Sequence, residues 1–159
     1  MQTHREIPFG DGEYTVRLGL AQIFAIQDKT GRGIGEVYAR VIEGRMQDQG
    51  TGFHFGYGPG ARFSIEEVLE VCRQGLIGGG KGFVDGREIE VRDHLATQLV
   101  KTYVHPEAGN PINRAWDMAA VILDAAWNGY APAAEAQKKS PAPKTSEDGS
   151  IEEGQSVTE

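Results

Sequence analysis

The spacing of apolar residues changes once within the first 45 positions, from a strand period to a helix period. Tyr14, Val16 and Leu18 alternate with polar residues after Asp11-Gly12, a turn pair that tolerates positive φ, and this predicts a small β-hairpin. From Leu20 onward the period is helical, with apolar positions at Leu20, Ile23 and Phe24 and then, after "KTGRG", at Ile34, Val37, Tyr38, Val41 and Ile42. Two helices joined by a glycine turn are therefore expected, and the hairpin must lean on them because two strands are not stable alone.

The stretch "RFSIEEVLEVCRQGL" predicts the clearest helix start in the chain. Ser64 can cap the first backbone amides, and Glu67, three residues on, can reach back to it. Phe63 and Val68 are spaced as a hydrophobic staple. One apolar face then follows, formed by Ile65, Val68, Leu69, Cys72 and Leu76. On that face Cys72 is expected to be core packing and not a reactive thiol.

The run "GLIGGGKGF" matches all but the last position of the phosphate-binding pattern G-x-x-x-x-G-K-[ST]. A phosphate loop follows a buried strand and opens a helix, whereas here a capped helix runs into Gly75 and Gly78, and position 82 is glycine and not serine or threonine. We therefore expect a helix C-terminal turn. A nucleotide-binding factor that uses the Gly75–Lys81 loop is the alternative from the enzyme class.

Two further helices complete the predicted domain. Val91, Leu95, Leu99 and Tyr103 mark one helix, which must stop before Pro106. The last helix has Asn110 as its expected N-cap, Pro111 at its first position and Gly129 at its stop. Its predicted inner stripe consists of Ile112, Ala115, Trp116, Ala119, Ile122, Leu123 and Ala126. The predicted fold class is mainly α, a small helical domain of about four to five helices with an N-terminal β-hairpin over residues 1–130.

Composition and charge narrow the classes of partner. With 159 residues and 39% apolar content, the chain is enough for one modest domain. The net charge is -7; residues 131–159 hold three lysines against six acids and so account for -3 of it, leaving -4 on residues 1–130. An acidic body without a basic stripe argues against nucleic acid and anionic membranes as partners. Residues 131–159, rich in Pro, Ala, Ser and charge, are predicted to be a disordered acidic tail.

The sequence shows no apolar run that would serve as a secretion signal or a membrane span, so a cytoplasmic location is expected.

No catalytic, cofactor or metal site is predicted, and the chain is not expected to be an enzyme. The four histidines are scattered without ligand spacing, and each is expected on the surface or in a turn: His4, His54, His94 and His105. A single cysteine excludes an internal disulfide. Glu66, Glu67 and Glu70 form a charge run, which is expected to be a solvated helix face.

The segment "MQDQGTGFHFGYGPGAR", residues 46–62, is unusual because Phe53, Phe55 and Tyr57 alternate among glycines. One hypothesis is a glycine-rich hairpin loop whose aromatic side chains fold back on the domain. The other is a partner-docking loop that uses these three aromatics as anchors.

Three stretches together resemble a known family: "GEYTVRLGLAQIFAIQDKTGRGIGEVYARVIEG", "RFSIEEVLEVCRQGLIGGG" and "NPINRAWDMAAVILDAAWNGY". Their order and pattern are similar to the small gene transfer agent proteins of tailed-phage origin, often labelled phage tail tube protein and regarded as tail assembly chaperones. The most specific part is the capped helix that ends in "GL" and several glycines. The chain departs from the family in the aromatic loop at 46–62 and in its long tail.

The resemblance implies a non-enzymatic role in virion morphogenesis, in which the protein keeps a helical tape-measure protein soluble while tail tube subunits polymerise around it. The partners would be the tape-measure protein, the tube subunits or both. A structural tail tube component, associated with the particle, is the alternative. Against that alternative stands the single hairpin that the sequence predicts.

Overall fold

The computed structural model describes residues 1–47 and 54–131, with the backbone alone for Gln47, His54 and Phe55. The five α-helices of this part are α1 (Leu20–Thr30), α2 (Ile34–Ile42), α3 (Ile65–Gly79), α4 (Asp93–Tyr103) and α5 (Ile112–Asn128). Its six strands are β1 (Arg5–Phe9), β2 (Gly12–Val16), β3 (Arg45–Gln47), β4 (His54–Gly56), β5 (Lys81–Val84) and β6 (Arg87–Glu90). A 3-10 turn spans Pro106–Ala108. Phe53 and residues 132–159 of the predicted disordered tail (131–159) lie outside the described residues.

The N-terminal hairpin is confirmed, but the prediction of a mainly α fold holds only in part. Strands β1 and β2 pair around Gly10 and Asp11, and β5 and β6 extend them into an antiparallel sheet of order β1-β2-β5-β6. The second hairpin turns at Asp85 and Gly86, both with positive φ (49° and 76°), as a two-residue turn of this kind requires. The domain is therefore helix-rich but mixed α and β, because the Asp85-Gly86 turn forms a second hairpin that joins the predicted one in a single sheet.

The core is built around α3, which packs against α1, α4, α5 and strand β2. Cys72 on α3 is fully buried, as predicted, and its thiol donates to the carbonyl oxygen of Ala115 on α5 at 3.5 Å. Burial raises the pKa of this thiol, so it stays protonated. The other large side chains that are fully or almost fully buried include Tyr14, Ile26, Leu76, Ile122 and Leu123.

The helix positions follow the apolar periodicity, although Leu20 and Phe24 of α1 are exposed and Ile26 is the buried residue of that helix. Helices α1 and α2 and the stop of α4 before Pro106 are confirmed, and so is the capping box of α3, in which Ser64 Oγ accepts from the Glu67 amide at 3.2 Å. Asn110 was wrongly predicted to cap α5. Its side-chain amide instead donates to the carbonyl oxygens of Thr102 and His105, which ties the connection back to α4. Ile112 is 55% exposed and lies outside the inner stripe, whereas the rest of that predicted stripe is buried or partly buried.

The glycine-rich end of α3 lies one turn later than predicted. Gly75 and Gly78 are inside the helix, which continues to Gly79 and ends at Gly80, where φ is 73°. A Cβ on Gly78 would lie 2.0 Å from the Arg17 carbonyl oxygen, and one on Gly79 would lie 1.7 Å from that of Thr15. These glycines therefore serve close packing of α3 against the chain at β2, and Gly80 alone provides the left-handed stop.

Within residues 1–47 and 54–131, the structure contains no helix long and apolar enough to cross a membrane.

Candidate partner-binding site

A groove of about 530 Å³ lies between α3 and α4. From α3 it is lined by residues at spacing i, i+3, i+4 and i+7, and from α4 by residues at i, i+3 and i+4, so that one face of each helix forms a wall. Leu69 of α3 and Val100 of α4 give it an apolar floor. Exposed charges of both signs surround this floor: Lys29, Glu66, Lys101 and Glu107. We call this the α3–α4 groove.

The wall of the α3–α4 groove is fixed by a hydrogen-bonded set that links the buried Glu70 and Gln74 and the partly buried Arg73 to the exposed Asp93. The Glu70 carboxylate, 7% exposed, accepts from Arg73 at 2.9 and 3.1 Å and from Gln74 at 2.9 Å. Arg73 also reaches Asp93 at the start of α4, with Nη1 2.5 Å from Oδ1. The Glu70 hydrogen bond is the main reason that the pKa of Arg73 is raised, so the guanidinium remains charged. This set joins α3 to α4 at one point along the groove.

A second buried carboxylate fixes the start of α3. Glu67, 1% exposed, accepts from Arg32 Nε at 2.9 Å, from Arg40 Nε at 3.0 Å and from the Ser64 amide at 2.9 Å. Every contact of this carboxylate is structural, since it links the α1–α2 turn and α2 to the cap of α3. The prediction of a solvated acidic face is therefore wrong for Glu67 and Glu70, and of that charge run only Glu66 is exposed.

The aromatic segment is attached to the domain through a short β-ribbon. Strands β3 and β4 pair antiparallel, and Asp117 of α5 accepts from Arg45 Nη2 at 2.5 Å and from the Gly56 amide at 3.2 Å. The Arg45 side chain is fully buried and lies 4.8 Å from the centre of the Trp116 ring. Of the three predicted anchors, Tyr57 is 64% exposed, Phe55 has only its backbone described, and Phe53 lies outside the described residues. The structure therefore places Tyr57 on the surface, and the prediction for the Phe53 and Phe55 side chains lies outside the described residues.

The residues considered for chemistry are dispersed. His94 is exposed, His4 is partly buried, and His105 uses Nδ1 to accept from the Glu107 amide at 3.2 Å. Among the described residues, no group of three or more His, Cys, Asp or Glu side chains could hold a metal ion.

The glycine-rich run presents the end of α3 and not the start of a helix, and Lys81 is the first residue of β5. A helix C-terminus carries carbonyl groups and partial negative charge, which does not suit a phosphate. This position disfavours the nucleotide-binding alternative.

Comparison with known proteins identifies no relative. No protein-family model, curated protein or solved structure matches this chain.

Proposed function

We propose that this chain is a non-enzymatic tail-morphogenesis protein, an assembly chaperone that binds an amphipathic helix of a tape-measure protein in the α3–α4 groove. The sequence resemblance supports the class of protein. The observation that carries the choice of site is the apolar floor of Leu69 and Val100, held between two helix faces and bordered by exposed charges.

The groove suits an amphipathic helix because such a helix docks through apolar residues at spacing i, i+3, i+4 and i+7. Its apolar stripe would cover the floor. Its flanking acidic residues would meet Lys29 and Lys101, and its flanking basic residues would meet Glu66 and Glu107. The net charge of -7 keeps a complex soluble while it covers a surface that would otherwise aggregate.

The groove is also preorganised. The contacts of Glu70, Arg73 and Asp93 hold one part of its wall, and the contacts of Glu67 hold the start of α3. A wall that is ordered before binding lowers the conformational entropy lost on association.

Tyr57, exposed next to the β-ribbon, remains a second candidate anchor for the same partner.

The test is co-expression with the tape-measure protein, with soluble tape-measure protein as the readout. We expect Leu69→Asp to reduce the soluble fraction at least tenfold, since a carboxylate on the floor would have to be desolvated on binding. Leu20→Asp is the matched control, because Leu20 is 66% exposed on α1, away from the groove, and should leave the soluble fraction unchanged. Thermal melting of both variants separates lost binding from lost folding. Equal solubility with all three proteins would refute the α3–α4 groove as the site.

One observation favours the structural alternative more than the sequence did. The sheet has four strands, and β1 and β6 are its two edges. A tail tube subunit needs strands that join those of its neighbours, and an open edge offers that pairing. Retention in the finished particle distinguishes this alternative from the chaperone.

A further inference from the structure

Strand β1 has an edge that faces a second groove. The groove has a volume of about 620 Å³ and lies between β1 and one face of α5, with Tyr103 of α4 also in its wall. The face of α5 contributes Arg114, Asp117, Met118 and Val121, again at spacing i, i+3, i+4 and i+7. We call this the β1–α5 groove.

The backbone polar groups that point into this groove follow from the hairpin register. Phe9 and Gly12 close a two-residue turn and form a hydrogen-bonded pair, so Ile7 and Arg5 also bond to β2. The intervening residues, Glu6 and Pro8, therefore direct their backbone groups to the outer edge. Pro8 fits there because it has no amide to donate. Glu6 thus offers an N–H and a C=O, and Pro8 a C=O, to an added strand.

The end of the described chain is tied to the segment that precedes β1. Gln2 and Tyr130 form an isolated antiparallel bridge outside β1 and exchange both backbone hydrogen bonds, at 3.0 and 2.9 Å. The Gln2 side chain also donates to the Tyr130 hydroxyl at 2.6 Å. The end of the described chain is therefore held beside the N-terminal end of β1, and the sequence continues from there to residue 159.

The charges of the groove favour an acidic occupant. Arg114 is exposed and has no ion-pair partner among the described residues, and the Arg5 guanidinium lies 5.0 Å from the centre of the Tyr130 ring. Of the two acids in the wall, Asp117 already accepts from Arg45 and from the Gly56 amide, which leaves Glu6 alone against the two arginines.

We propose that the β1–α5 groove binds residues 147–159 of the same chain, "EDGSIEEGQSVTE", as an added strand on β1. This segment holds five acids and no lysine or arginine, and its two large apolar residues, Ile151 and Val157, are β-branched and favour strands. Residues 132–146 can span roughly 50 Å when extended, which is ample for a return to β1. This inference goes beyond the tail-assembly function and does not depend on it.

The test uses the full chain with a nitroxide on Ser150→Cys, read by paramagnetic broadening of backbone amides. Cys72 is fully buried and stays unlabelled. We expect broadening at β1 and at Val121 of α5, and we expect the Glu6 amide to exchange with solvent at least tenfold more slowly than in a chain carrying Glu152→Lys and Glu153→Lys. Arg5→Glu with Arg114→Glu should abolish both effects. Arg87→Glu, on the opposite sheet edge, should leave both intact.

Each other outcome overturns the proposal. Broadening that is absent, or that survives the double arginine reversal, means that the segment does not recognise this groove. A second sample mixes nitroxide-labelled chains of natural isotopic abundance with isotope-enriched chains that carry no nitroxide. Broadening of the enriched amides in this mixture means that the segment of a second copy is the occupant.

Discussion

Tyr14 lies within the sheet with its hydroxyl buried beside a carboxylate. Its side chain is 1% exposed, its ring meets that of Phe9 edge-on at 5.7 Å, and its hydroxyl donates to Asp11 Oδ1 at 2.5 Å. Burial, followed by the Asp11 hydrogen bond and the Asp11 charge, raises the pKa of Tyr14 above its ordinary value. The folded state therefore retains the neutral phenol under alkaline conditions in which the unfolded chain releases the proton.

This difference makes the free energy of unfolding fall as the pH rises above about 10, the ordinary pKa of tyrosine. The raised pKa of the Cys72 thiol adds an earlier decline of the free energy of unfolding, from about pH 8.5.

We expect Tyr14→Phe to lower the free energy of unfolding by about 1 kcal/mol at pH 7, because one hydrogen bond is missing. Above pH 10 the free energy of unfolding of Tyr14→Phe should fall less steeply with pH than that of the unsubstituted chain. Urea unfolding from pH 7 to pH 11 measures both effects, and parallel curves for the two proteins would contradict the assignment.

Glu67 shows how far single residues can be predicted from sequence. Its place in the capping box follows from local spacing alone, because Ser64 is three residues away, and the structure confirms it. Its burial depends on Arg32 and Arg40, which belong to a different part of the chain. No local pattern reports that these guanidiniums reach the same carboxylate, so the acidic run was expected to face solvent.

Among the elements, α3 depends most on the absence of side chains at its end. A Cβ at Gly75 would lie 2.6 Å from Ile122 Cδ1, and those at Gly78 and Gly79 would overlap the backbone at Arg17 and Thr15. The Arg17 amide also donates to the Gly75 carbonyl oxygen at 2.9 Å. The glycines therefore allow the sheet and the central helix to meet with their backbones in contact.

We predict that Gly79→Ala destabilises the domain by about 3 kcal/mol or more, because the new methyl group meets a backbone oxygen that cannot move away freely. Gly35→Ala is the matched control within α2, where a Cβ would meet only Trp127 at 3.8 Å. That change should stabilise the domain by about 0.5 to 1 kcal/mol through helix propensity. Denaturant midpoints of the two variants give the comparison. A mild effect of Gly79→Ala would show that α3 and β2 are not in the close contact described.

Helices were easier to predict than strands in this chain. Five amphipathic stretches each carry several turns of periodic signal, whereas β5 and β6 have only four residues each and few large apolar side chains. Their turn signal at Asp85-Gly86 was present in the sequence. The glycines before it end α3 and are followed directly by β5, so the helix signal and the strand signal adjoin in the sequence.

The two grooves named above lie on different elements of the described part of the chain. The α3–α4 groove is bounded by two helices, and the β1–α5 groove by an edge strand and a helix, so that a partner helix and an added strand could bind at once. Neither groove could be predicted from the sequence. Each depends on the distance between elements, and the stripes that define the core do not report where two faces stay apart.

A chaperone of the proposed kind acts during tail assembly and then leaves the particle. The number of copies per purified particle, counted by quantitative mass spectrometry and compared with the lysate of the producing cells, tests this proposal. The chaperone proposal predicts abundant protein in the lysate and near absence from particles, together with short or missing tails when the gene is deleted. Many copies in every particle would contradict it and would identify a structural tail component instead.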